Sequence, residues 1–143
     1  MENPVHQSLQ TQGGNSMFKV YIWIDGSEFD PEEFNASLDT DLRGNVRTRK
    51  QLNKNFSDQP TSYWESELIE VSSDYPEDKL TELLKRYRQS LLPVIGTKRI
   101  RIVAEIVARY ENSEEVRGYF LSTDLIQCLA ELRASLDIDV YVD

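Results

Sequence analysis

Cysteine and histidine are nearly absent from this sequence, one of each in 143 residues. A single cysteine, Cys128, excludes an internal disulfide and with it a stapled secreted scaffold. One histidine and one cysteine exclude the usual zinc centres, which take three or four such ligands. Basic residues are also in short supply, with 16 Lys and Arg against 25 Asp and Glu, for a net charge of −9. That deficit argues against a general binder of nucleic-acid phosphates. No apolar run approaches the ~20 residues that span a bilayer. The opening Met1-Glu2-Asn3-Pro4 has neither the basic nor the apolar region of a signal peptide. These absences leave a soluble, acidic, cytoplasmic-type chain with no membrane, nucleic acid, cofactor or metal expected.

What is present suffices for one domain with its own core. Residues 1–16 are polar, carry no Lys or Arg and lack apolar periodicity, so they read as a disordered extension before a domain at 17–143. Without them 24 acids and 16 bases remain, so the charge belongs to the domain. Met17–Asp25 alternates Phe18, Val20, Ile22 and Ile24 with polar and aromatic residues, which predicts a strand. Asp30-Pro31-Glu32-Glu33 has the N-cap, the proline and the acids of a helix start, with an end near Leu38. Arg47, Arg49 and Lys50 fit a short strand, and Trp64–Val71 another. Pro76 opens the longest helix, with Asp74 as its N-cap. Leu80, Leu83, Leu84, Tyr87, Leu91 and Leu92 form its apolar face, and Pro93 and Gly96 stop it.

Arg99–Tyr110 alternates strictly and is the clearest strand, with Gly118–Leu121 expected as its hairpin partner. Ser122 caps a third helix with Leu125, Cys128, Leu129 and Leu132 inward, and Leu136–Val142 closes the chain as a strand. The order β-α-β-β-α-β-β-α-β predicts an α+β fold: a largely antiparallel sheet with about three helices packed on it.

Charge is uneven along the chain. Residues 25–41 hold Asp25, Glu28, Asp30, Glu32, Glu33, Asp39 and Asp41 with no base. A second acidic stretch begins at Glu65 and Glu67, expected on one strand face. Arg43, Arg47, Arg49, Lys50 and Lys54 form a positive patch between them. Asp25, Glu28, Asp30, Glu32, Glu33, Glu65 and Glu67 are the candidate contacts for a basic protein partner, because concentrated like charge steers association. Asp25-Gly26-Ser27-Glu28 does not match a calcium loop. Asp137 and Asp139 alternate on the last strand, where paired carboxylates do acid–base work only if other groups separate their pKa values. No nucleophile–base pair, phosphate loop or dinucleotide motif is visible, and His6 falls in the extension. Trp23 points away from the apolar face of its strand, and Trp64 follows a polar loop.

Pro31, Glu32, Glu33, Trp64 and the closing Leu136-Asp137-Ile138-Asp139-Val140-Tyr141 together resemble a bacterial domain-of-unknown-function family, DUF4279, over about 17–143. Two departures stand out. Arg133 replaces a glycine after the last helix, and Leu38–Arg47 lacks the family's Leu-Gly-x-x-Pro-Thr segment. The resemblance implies no settled activity, but relatives of this kind look like small accessory or immunity-type proteins near toxins. The first expectation is therefore a non-enzymatic, immunity-type protein that neutralises a basic bacterial toxin through an acidic face. The alternatives are an orphan structural or regulatory module, such as a homodimer, and an enzyme using Asp137 and Asp139.

Overall fold

The computed structural model describes residues 16–49, 61–72, 75–97 and 99–143. The expected extension up to residue 15, the N-cap at Asp74 and the bases Lys50 and Lys54 lie outside the described residues. Ser16, the last residue of the expected extension, is buried and donates to Glu115 Oε2 at 3.2 Å.

The elements are β1 (Met17–Gly26), α1 (Pro31–Ser37), β2 (Asn45–Arg49), β3 (Thr61–Glu65), β4 (Ile69–Val71), α2 (Pro76–Leu91), β5 (Ile100–Tyr110), α3 (Thr123–Glu131) and β6 (Ser135–Val142). Short 3-10 turns occupy Thr40–Leu42 and Ser113–Glu115. The sheet has six strands in the order β2-β3-β1-β5-β6, with β4 also paired to β1. All pairs are antiparallel except β5 with β6. This is the expected α+β class.

Alternation in β1 and β5 sorts their side chains onto two faces. Phe18, Val20, Ile22 and Ile24 share one face with Ile102, Ala104, Ile106 and Ala108, all buried. Leu80, Leu83, Leu84, Tyr87 and Leu91 of α2, with Leu125 and Cys128 of α3, complete the core on that side. Trp64 is fully buried there, edge-on to Phe34 and Tyr87 at centroid distances of 4.9 and 5.6 Å. Its indole N–H donates to Asn35 Oδ1 at 3.0 Å, which also receives the Gly44 N–H at 2.9 Å. The helices cover one face of the sheet, and among the described residues no helix packs on the other, the open face.

Three local expectations are corrected. Trp64–Val71 is two strands rather than one, because its register against β1 shifts by one residue between them. Ser66 makes this bulge: its N–H donates to Ile22 O at 2.8 Å and its Oγ receives the Ile22 N–H at 2.9 Å. Glu65 and Glu67 consequently do not share a strand face. Glu65 meets Arg47 on β2, while Glu67 meets Arg86 on α2 at 3.8 Å.

Gly118–Leu121 is no strand. The edge it was expected to fill is taken by β6, which pairs parallel to β5 from Val103↔Ser135 to Tyr110↔Val142. Residues 116–122 instead lead into α3, and only a crossover of that kind permits a parallel return.

α3 is capped at its start by Ser122 Oγ, which accepts from the Leu125 N–H at 3.1 Å. Its end carries the hydrogen bonds of a Schellman motif, Ala134 N to Leu129 O at 2.8 Å and Arg133 N to Ala130 O at 3.1 Å. Arg133 sits in the left-handed region at φ 51°, so the conformation a glycine would favour is kept with an arginine in it.

Candidate functional site

The acidic edge is built around α1. Asp30 is its N-cap, with Oδ1 accepting from the N–H groups of Glu32 and Glu33 at 3.0 and 3.2 Å. Pro31 occupies the first helical turn and is buried. The cap fixes the backbone at Glu32 and Glu33, and these two and Glu28 are exposed. Next to them opens a pocket of about 250 Å³ lined by Glu28, Phe29, Asp30, Glu33, Phe34, Ser37, Val94 and Thr97. Its floor is aromatic and aliphatic and its rim carries three carboxylates. Phe29 and Phe34 pack at 5.5 Å between centroids, and Phe34 rests on Trp64, so the core holds the floor. Among the described residues, none of the ion pairs engages Glu28, Asp30, Glu32 or Glu33.

Asp25, Glu65 and Glu67 do not belong to that edge. Asp25 is only 7% exposed and accepts two hydrogen bonds from Arg101, at 2.8 and 3.1 Å. Arg49 approaches it at 3.8 Å. Both arginines also lie over the Trp23 ring, at 4.7 and 5.1 Å, and Arg49 over Tyr63 at 4.7 Å. Of the positive patch expected at Arg43, Arg47, Arg49, Lys50 and Lys54, Arg47 and Arg49 are engaged within the open face by Glu65, Asp25 and aromatic rings, and Arg43 donates to the Leu38 carbonyl.

The open face carries a second carboxylate group. Register places Glu105 beside Asp137 and next to Asp139, and one oxygen from each of the three lies within 4.8 Å of the others. Glu105 is 4% exposed, whereas Asp137 is exposed and Asp139 half-buried. Glu105 Oε1 accepts from the Trp23 indole N–H at 3.1 Å, but its buried Oε2 meets no hydrogen-bond partner among the described residues. Burial pushes the Glu105 carboxyl up to about 8. The Trp23 N–H opposes this, and the neighbouring Asp137 and Asp139 reinforce it. Burial also raises the neighbouring Tyr21 phenol, and the charges of Glu105, Glu65 and Asp139 add to the effect.

Asp137 and Asp139 were legible as a pair, but their third member was not. Glu105 reads in sequence as one polar residue of an alternating strand. The available signal was its setting between Val103 and Val107 on the same face, an unusual place for a lone carboxylate. Glu77 lies in the first turn of α2. It is 3% exposed and bound by Arg117 at 3.0 and 3.3 Å and by the Phe120 N–H at 2.6 Å.

Among the described residues no helix is long and apolar enough to cross a membrane. A family model described as a domain of unknown function (DUF4279) matches residues 16–143. No curated protein and no solved structure matches the chain.

Proposed function

The chain belongs to the DUF4279 family, and on that footing we propose that it is a non-enzymatic binding protein of immunity type. It acts in the bacterial cytoplasm and neutralises a basic protein toxin through the acidic edge at α1. The observation that carries this reading is the pocket rimmed by Glu28, Asp30 and Glu33 and floored by Phe29, Phe34 and Val94. A lysine or arginine side chain has an apolar stem and a cationic head, and such a pocket meets both parts. The surrounding carboxylates, Glu32 among them, are free of internal cations among the described residues. They raise the encounter rate with a positive partner. Asp25, Glu65 and Glu67 contribute little to that attraction, since arginines already offset their charge.

The test is affinity capture from the native host on the wild-type chain and on the Glu28→Lys/Glu33→Lys variant. Expression of the captured partner alone, or with each version, then measures toxicity. The expected partner is basic, toxic alone and harmless beside the wild type. The double variant should lower its association rate ~10-fold or more at low salt and abolish protection. An acidic partner, or unchanged rate constants with the variant, overturns the reading.

A further inference from the structure

We propose that Glu105, Asp137 and Asp139 form a binding site for a hard divalent cation of the Ca²⁺ or Mn²⁺ kind on the open face of the sheet. Three carboxylate oxygens converge within 4.8 Å. The innermost belongs to a side chain that is 4% exposed and whose Oε2 has no hydrogen-bond partner among the described residues. A buried carboxylate oxygen without a donor is costly. Beside two further carboxylates the cost rises, and a positive species between them relieves it. Among the described residues, no side chain supplies one. None of the ion pairs among the described residues reaches Glu105, Asp137 or Asp139. The flanking arginines of β5 are turned elsewhere, Arg101 to Asp25 and Arg109 over Tyr141.

The donor set decides the class of ion. It is all oxygen and anionic, which suits hard cations and disfavours those that select thiolate or imidazole. Glu105 and its neighbours sit on two hydrogen-bonded strands, Glu105↔Asp137 and Val107↔Asp139, so the ligands are held by the ladder and not by a loop. Asp137 is exposed, which leaves the outer side of the ion to water. Trp23 orients the inner ligand by donating to Glu105 Oε1 at 3.1 Å, in the manner of an outer-shell partner. This site lies apart from the acidic edge at α1 and does not depend on the role proposed for it.

Terbium luminescence tests the proposal, because a lanthanide at this site lies beside the Trp23 indole and is excited through it. The expected result is saturable emission from the full chain, displaced by Ca²⁺ or Mn²⁺, with a Ca²⁺-dependent rise in Tm. The Asp137→Asn/Asp139→Asn variant, changed on the outer strand, should weaken binding roughly 10-fold or more. With excitation at the red edge of tryptophan absorption, where the neighbouring Tyr21 does not absorb, Trp23→Phe should lose the emission but keep the Ca²⁺-dependent rise in Tm, which places the ion at this indole. Glu105→Gln should fold and fail to bind. Emission and Tm responses equal in wild type and the Asp137→Asn/Asp139→Asn variant would overturn the proposal. So would a wild type that gives neither response, in which case a shared proton is the positive species.

Discussion

Replacing Glu77 with Gln removes one charge and almost no volume, and the structure sets what this costs. The Glu77 carboxylate is buried in the first turn of α2, where the helix dipole already favours an anion. It accepts from both Arg117 Nη atoms, at 3.0 and 3.3 Å, and from the Phe120 N–H at 2.6 Å. Through these bonds it pins residues 117–120 against the start of α2. Gln keeps one acceptor for Phe120 but turns an NH₂ toward Arg117. Breaking a buried pair costs ~3–5 kcal/mol. The Arg117 side chain is 29% exposed, so water recovers part of its charge, and the expected loss is about 2–3 kcal/mol. For a domain of this size that is a fall in Tm of roughly 8–12 °C.

Acidity supplies the sign test. Burial alone would raise the Glu77 carboxyl, but its hydrogen bonds to Arg117 and Phe120 outweigh burial and hold it below the ordinary carboxylate range. A carboxylate with a lowered folded pKa stabilises fully above its unfolded value, and that contribution is lost as pH falls through the folded one. Urea unfolding of both proteins at pH 7 and at pH 3 should therefore show a gap that narrows toward acid. A gap under ~0.5 kcal/mol at pH 7 would refute the reasoning, as would a gap of the same size at both pH values.

Two further outcomes follow from backbone geometry. Arg133→Gly should raise stability by about 0.5–1 kcal/mol in urea unfolding, because glycine takes the left-handed cap without the Cβ penalty but adds entropy to the unfolded chain. Gly44→Ala should lower it by ~2 kcal/mol or more. A Cβ at that position would overlap the Glu65 carbonyl oxygen, and a backbone group cannot swing aside. Circular dichroism melts of the variant would show this as a marked fall in Tm.

By itself the sequence determined those features that depend on neighbours along the chain. The alternation of β1 and β5, the Asp30 and Ser122 caps, the apolar stripe of α2 and the stop at Pro93 are local patterns, and each stands in the structure. So do the α+β class and the carboxylates exposed around α1. The tertiary structure decided what depends on pairing over distance. The bulge at Ser66 parted Glu65 from Glu67, because one inserted residue changes which side chains face which side of a sheet. The parallel return of β6 displaced the expected hairpin and brought Asp137 and Asp139 to Glu105, a register that follows from the α3 crossover and from no local motif. Burial turned Asp25 and Glu77 from surface acids into arginine-bound anchors. An acid's role is set by what the fold packs around it, and composition counts all carboxylates alike.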